Sequence, residues 1–142
     1  MVSMKKKTVL ILCTGNSCRS QMAEALVNRF LGDSWQAVSA GTQPSGYVHP
    51  LALQALAEIG IQHAGRSKST EEFLGRAFDL VLTVCDHAAE NCPVWLGSGK
   101  RVHIGFSDPA KAEGSLEEKL TAFRLVRDQI HQQVLEYLAR TD

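Results

Sequence analysis

The chain has no net charge: 15 Lys and Arg balance 15 Asp and Glu over 142 residues. That balance excludes the broad basic footprint that nucleic acid or an anionic membrane surface would require. Lys5-Lys6-Lys7 is too short to supply one and reads as a solvated lead-in, with residues 1–6 expected to be flexible. Long apolar stretches are missing too, and nothing approaches the roughly 18 apolar residues of a membrane span. The run Val9-Leu10-Ile11-Leu12 ends in a cysteine motif without a small-residue cleavage site, so no secretory leader is expected. Repeats, linkers and low-complexity segments are also absent, which leaves a single domain over 1–142, large enough to bury a real core. In the cytoplasmic protein these absences describe, four cysteines are better read as reactive or metal-binding than as a disulfide framework.

What is present centres on Cys13-Thr14-Gly15-Asn16-Ser17-Cys18-Arg19-Ser20. It follows Thr8-Val9-Leu10-Ile11-Leu12, a β-branched apolar run of buried-strand length. It precedes Gln21 to Leu31, where Met22, Leu26 and Phe30, and Ala23 and Val27, recur at helical spacing. The motif is therefore the turn between a strand and a helix, where unpaired amides and the helix dipole favour an anion. Gly15 is expected to let the backbone curl, Ser17 to cap the helix, and Arg19 to add a planar donor fork for a tetrahedral oxyanion. Five residues between Cys13 and Arg19 suffice to wrap backbone around a phosphate-sized anion. Asn16 is expected to fix the loop and Ser20 to donate to the Cys13 sulfur, giving a thiolate nucleophile aimed at the bound group. Cys18, inside the loop, is a candidate disulfide partner for Cys13.

Downstream, Ala37 to Gly41 reads as a second strand, Pro50 to about Ile59 as a helix stopped by Gly60, and Ser69 to Leu74 as a short capped helix. Phe78 to Val84 is a third strand that delivers Cys85 at its end, and Arg101 to Ile104 a fourth. Ser115 with Glu118 forms a capping box opening a long last helix. Alternating strands and helices predict an α/β domain of three layers, with a four-stranded parallel sheet covered by helices on both faces. Ligands of such sheets sit beyond the carboxyl ends of the strands, where Cys13 and Cys85 both fall.

A second constellation is Cys85-Asp86-His87-Ala88-Ala89-Glu90-Asn91-Cys92-Pro93. The C-x6-C spacing lacks the two-to-four-residue gap usual in zinc sites, and neither His63 nor His103 completes a metal pattern, so no resident metal is expected. Two core cysteines on one helical face remain an alternative. Were the intervening residues helical, the Cα atoms would stand roughly 10 Å apart. A disulfide needs about 4.4–6.8 Å, so joining them would require the segment to unwind. Asp108-Pro109 follows the fourth strand on the same edge and offers a general acid for a leaving oxygen. The histidines are expected on the surface or at helix ends, with His87 a minor candidate for thiol chemistry.

At Cys13 to Ser20 the chain resembles the phosphate-binding loop of low-molecular-weight protein tyrosine phosphatases. From Cys13 to Glu24 it resembles even more the thioredoxin-coupled arsenate reductases of that fold, which also carry a matching C-x6-C after the third strand. The resemblance implies that Cys13 attacks arsenate, that Cys85 attacks the Cys13–arsenic adduct, and that Cys92 resolves the Cys13–Cys85 disulfide. It implies arsenate as substrate with phosphate or sulfate as analogues, thioredoxin as external reductant, no bound cofactor, and a monomer. Thr14, Gly15, Asn16, Ser17, Cys18, Arg19 and Ser20 would hold the oxyanion, and Asp108 would be the acid. Phosphatases of this fold follow the Asp-Pro pair with aromatics, whereas Ala110-Lys111-Ala112 has none, which favours a small inorganic substrate. Some relatives hold potassium near positions matching Asn16 and Ser39, but the acidic residue expected around Ser67-Lys68-Ser69 is missing. A phosphate-monoester hydrolase and a non-catalytic thiol switch or anion sensor are the alternatives.

Overall fold

The structure, a computed structural model, describes residues 6–86, 92, 94–95 and 97–141. Its parallel sheet runs β2 (Trp35–Gly41), β1 (Lys7–Cys13), β3 (Leu80–Thr83), β4 (Lys100–His103). Because β1 is central, Val9, Leu10, Ile11 and Leu12 are all fully buried, which is why it reads as an unbroken apolar run. β4 lies at an edge and carries Lys100 and Arg101, charges that discourage further strand pairing.

Helices α1 (Arg19–Phe30), α2 (Pro50–Ala57) and α3 (Leu116–Arg140) share one face. There Val9, Ile11 and Leu82 of the sheet meet Met22, Leu26, Leu56, Phe123 and Ile130. The one-turn 3-10 helix Thr70–Phe73 serves the other face, where Phe73, Phe78 and Trp95 cover Leu10, Leu12 and Val81. The sheet thus has three α-helices on one face and, among the described residues, the 3-10 turn with non-helical Phe78 and Trp95 on the other.

The capping signals of α2 and α3 act where expected. Pro50 occupies the first turn of α2 after an N-cap at His49, and Ser115 and Glu118 close a reciprocal capping box on α3. Gly60, at φ +83°, turns the chain out of α2 while the Ile61 amide donates back to the Leu56 carbonyl. β3 is shorter than the apolar run implied. Before it, the Asp79 carboxylate accepts from the Thr8 amide at 2.8 Å, and Phe78 turns into the second core. The expected helix between Cys85 and Cys92, with His87, lies outside the described residues. Among the described residues, no helix is long and apolar enough to cross a membrane.

Candidate active site

β1 and β3 pair with Leu12 opposite Thr83, and the Val84 amide donates to the Leu12 carbonyl at 2.9 Å. The register puts Cys85 one residue beyond the position facing Cys13. From these two strand tips the chain leaves in opposite directions, toward β2 and β4, opening the crevice in which such folds bind ligands.

After Cys13 the chain curls tightly. The carbonyls of Thr14, Gly15 and Ser17 accept from the amides of Gln43, Ser45 and His49, and Ser67 Oγ adds a bond to Gly15. In a trans peptide the N–H opposes the C=O, so engaging these carbonyls on the outside turns the following amides inward. The Asn16 amide accordingly donates to Cys13 Sγ at 3.2 Å. The left-handed residue that makes the curl is Asn16, at φ +47°, and not Gly15. Asn tolerates this conformation better than most residues. β2 helps through Gly41, where a Cβ would come 2.4 Å from the Thr14 carbonyl oxygen. Ser17 does not cap α1. Its N-cap is Cys18, with no side-chain cap bond, so the first amides of α1 remain available to a ligand.

Ser20 and Asn16, both fully buried, brace the sulfur from behind. Asn16 Nδ2 donates to Ser20 Oγ at 2.8 Å, which directs the hydroxyl proton at Cys13 Sγ, also 2.8 Å away. Asn16 Oδ1 in turn accepts from the Lys68 amide and Gln21 Nε2. Gln21 Oε1 meets His63 Nε2 at 2.7 Å, and burial holds His63 below the usual imidazole range. Near this network Ser39 Oγ donates to Glu24 Oε1 at 2.9 Å, and Lys68 Nζ stands 3.9 Å from the same oxygen. The positive charge beside Glu24 is therefore supplied by the chain itself, at the place where relatives suggested a cation.

The cleft in front of the sulfur encloses about 200 Å³, and its lining includes Cys13, Gly15, Ser17, Cys18, Arg19 and Asp108 together with Tyr47 and His49. Of the loop residues expected to bind the anion, Thr14, Asn16 and Ser20 do not line it. Arg19 is almost wholly buried; its Nη1 donates to the Phe106 carbonyl at 3.1 Å and its Nη2 lies 3.8 Å from Asp108 Oδ2. Asp108 Oδ1 accepts from the Ala110 amide at 3.0 Å, so the carboxyl is held over the cleft. Cys18 is a free thiol like Cys13, but burial, reinforced by the Asp108 charge, pushes its pKa up to about 12. It is a neutral wall rather than a second nucleophile.

Tyr47 escaped the sequence reading. Asp-Pro is indeed followed by no aromatic, but Tyr47, from the loop between β2 and α2, lines the same cleft, where no local pattern marks it. His49 also gains a place: its ring packs against Phe123 at 4.7 Å, its Nδ1 accepts from the Leu51 amide, and burial lowers its pKa.

At the β3 tip, Cys85 and Cys92 form a disulfide with Cα atoms 5.8 Å apart, inside the bonding range rather than at a helical separation. His103, from the end of β4, lies beside this pair. Only strand register brings it there.

The low molecular weight phosphotyrosine protein phosphatase family matches residues 8–142. An arsenate reductase of Halalkalibacterium halodurans is 50% identical over 133 residues, 92% of this chain and 94% of that protein. The crystal structure of an arsenate reductase from Archaeoglobus fulgidus aligns with a TM-score of 0.78 at 30% identity, covering 92% of this chain and 98% of that one. A thioredoxin-dependent arsenate reductase from Corynebacterium glutamicum aligns at 0.67 and 25% identity, over 99% of this chain and 66% of that one. Matched along nearly its whole length, the chain belongs to the low molecular weight phosphotyrosine protein phosphatase family and stands within it among proteins called arsenate reductases.

Proposed function

We propose that this chain reduces arsenate to arsenite in the cytoplasm, as part of arsenical resistance, and is restored by thioredoxin. The observation that carries the reading is a free Cys13 in an anion cradle together with a disulfide, Cys85–Cys92, at the adjacent strand tip. A hydrolase needs no such second pair, because water discharges its cysteine adduct. An enzyme that reduces its substrate must store two oxidising equivalents in thiols.

The steps balance as follows. Arg19 and the inward amides of the loop hold arsenate. Cys13 thiolate attacks arsenic, and the displaced oxygen leaves as water on taking a proton from Asp108. Cys85 thiolate then attacks the Cys13 sulfur; the S–As bond breaks, its electron pair leaves with arsenic, and arsenite departs. Cys92 attacks Cys85, forms the Cys85–Cys92 disulfide and releases Cys13 thiolate. A dithiol reductant, thioredoxin by likeness to the Corynebacterium glutamicum protein, supplies two electrons and two protons to reopen that disulfide.

Arsenite formation coupled to thioredoxin, its reductase and NADPH tests the reading. Wild-type protein turns over, Cys13→Ser is inactive, and Cys92→Ser yields at most one arsenite per enzyme. Steady turnover by Cys92→Ser at the wild-type rate would refute the relay. The same cradle and acid suit phosphate esters, so slow aryl-phosphate hydrolysis that survives Cys92→Ser is expected as a side reaction.

A further inference from the structure

We infer that His49 is a further binding residue of the cleft, its Nε2–H donating to an oxygen of the tetrahedral oxyanion held over Cys13. The inference rests on the reading of the cleft as an oxyanion site and adds a donor from a second stretch of chain. The loop amides and Arg19 all come from residues 13–20, so a single loop wraps one side of the anion. His49 comes instead from the start of α2, and it lines the same cavity as Cys13, Arg19 and Asp108. Its own amide donates to the Ser17 carbonyl at 3.0 Å, which ties its position to that of the loop.

The helix cap places the proton. The Leu51 amide donates to His49 Nδ1 at 3.1 Å, so Nδ1 must offer a lone pair and the neutral ring carries its proton on Nε2. Protonating Nδ1 would set two donors against each other and leave that amide unsatisfied at the end of α2. Burial favours the neutral ring as well, against the opposing pull of the Asp108 charge across the shared cavity. The Phe123 ring, 4.7 Å from the imidazole and tilted by 38°, restrains its plane, so little side-chain freedom is left to lose on binding. Among the described residues no hydrogen bond engages Nε2, which leaves its proton for a ligand. Ser, Asp or Asn would cap α2 at least as well. What a histidine adds there is a second polar atom across the ring, clear of the cap.

The test is protection of Cys13 from iodoacetamide by inorganic phosphate, with the Cys85–Cys92 disulfide intact, read by peptide mass spectrometry as the half-protecting concentration. Two variants isolate the donor. His49→Asn keeps a capping oxygen for the Leu51 amide but gives up the ring, whereas His49→Phe keeps a ring against Phe123 but gives up the cap. Both lack Nε2–H. Each should raise the half-protecting phosphate concentration about ten- to a hundredfold, the worth of one hydrogen bond to a charged acceptor. Wild-type protein supplies a readout that needs no variant: NMR correlation from the ring carbon protons to the ring nitrogens should show the His49 proton on Nε2, and phosphate should shift that nitrogen. Protection at the wild-type concentration in either folded variant, a proton on Nδ1, or an Nε2 resonance unmoved by saturating phosphate would overturn the proposal. Phosphate binding needs no arsenic chemistry, so this donor can fail while the loop still protects Cys13, or stand where no arsenite is formed. Wild-type Cys13 left unprotected at every phosphate concentration would overturn the oxyanion reading of the cleft and the donor together.

Discussion

Replacing Ser20 with Ala removes the side-chain donor to Cys13 Sγ and leaves in place the bond from the Asn16 amide at 3.2 Å. A hydrogen bond to a charged acceptor is worth about 1.5–3 kcal/mol, and roughly 1.4 kcal/mol corresponds to a factor of ten. Attack by the Cys13 sulfur should therefore slow by up to about ten- to a hundredfold. The change also strands Asn16 Nδ2, whose acceptor is Ser20 Oγ, in a fully buried position, so the fold should lose about 1–3 kcal/mol in addition. Pulsed iodoacetamide labelling at pH 7, read by peptide mass spectrometry, separates the two free cysteines. Cys18, with its pKa near 12, should remain unlabelled in both proteins and so serve as an internal control. Labelling of Cys13 in Ser20→Ala at the wild-type rate, in protein shown to be folded, would refute the argument that the hydroxyl activates the sulfur.

Asp108→Asn keeps the bond from the Ala110 amide but cannot give up a proton, so arsenate turnover should fall about 10²–10⁴-fold while iodoacetamide labelling of Cys13 persists. Burial disfavours protonation of His49 and His63. Their contribution to stability is therefore fully present above the ordinary imidazole value near 6.5 and is lost as pH falls through it toward the lower folded-state value. The loss is at most about 1.4 kcal/mol per pH unit for each group; urea unfolding from pH 7 to 5 should show a shallower slope in His63→Gln, and an unchanged slope would exclude His63. Because Lys68 supplies the charge beside Glu24, exchanging potassium for tetramethylammonium at constant ionic strength should leave Tm unmoved. Lys68→Ala should cost about 1–3 kcal/mol by removing that charge from a largely buried carboxylate.

The anion loop was legible because three independent signals coincide on eight residues: an apolar β-branched run before it, a 3.6-residue period after it, and C-x5-R-S between. The caps at Pro50 and Ser115 were legible for the same reason, since their chemistry is local. What stayed hidden depends on the approach of distant backbone. Gly15 looked like the residue that curls the loop, yet Asn16 takes the left-handed conformation, held by the Lys68 amide from far along the chain. Gly41 carries no motif, and only the passage of the Thr14 carbonyl against it explains the glycine. His103 and Tyr47 reach their sites through strand register and loop path, which no spacing rule records.

The hydrogen bonds around Cys13 also bear on the direction of the relay. In the Cys13–Cys85 disulfide, attack by Cys92 expels whichever sulfur leaves more readily, and a sulfur received as a stabilised thiolate leaves faster. Cys13 departs into a bond from the Asn16 amide and a bond from Ser20 Oγ, whereas the surroundings of fully buried Cys85 offer a thiolate little solvation. Resolution therefore runs toward Cys85–Cys92, the pairing the structure holds. Ser20→Ala, which removes the bond from the hydroxyl, should then slow this second exchange as well as the first attack. Quenched disulfide mapping after a single pulse of arsenate should find Cys13–Cys85 accumulating in the variant where wild type shows mainly Cys85–Cys92. Equal partition in the two proteins would mean that the cradle serves only the anion and that strand geometry alone drives the thiol sequence.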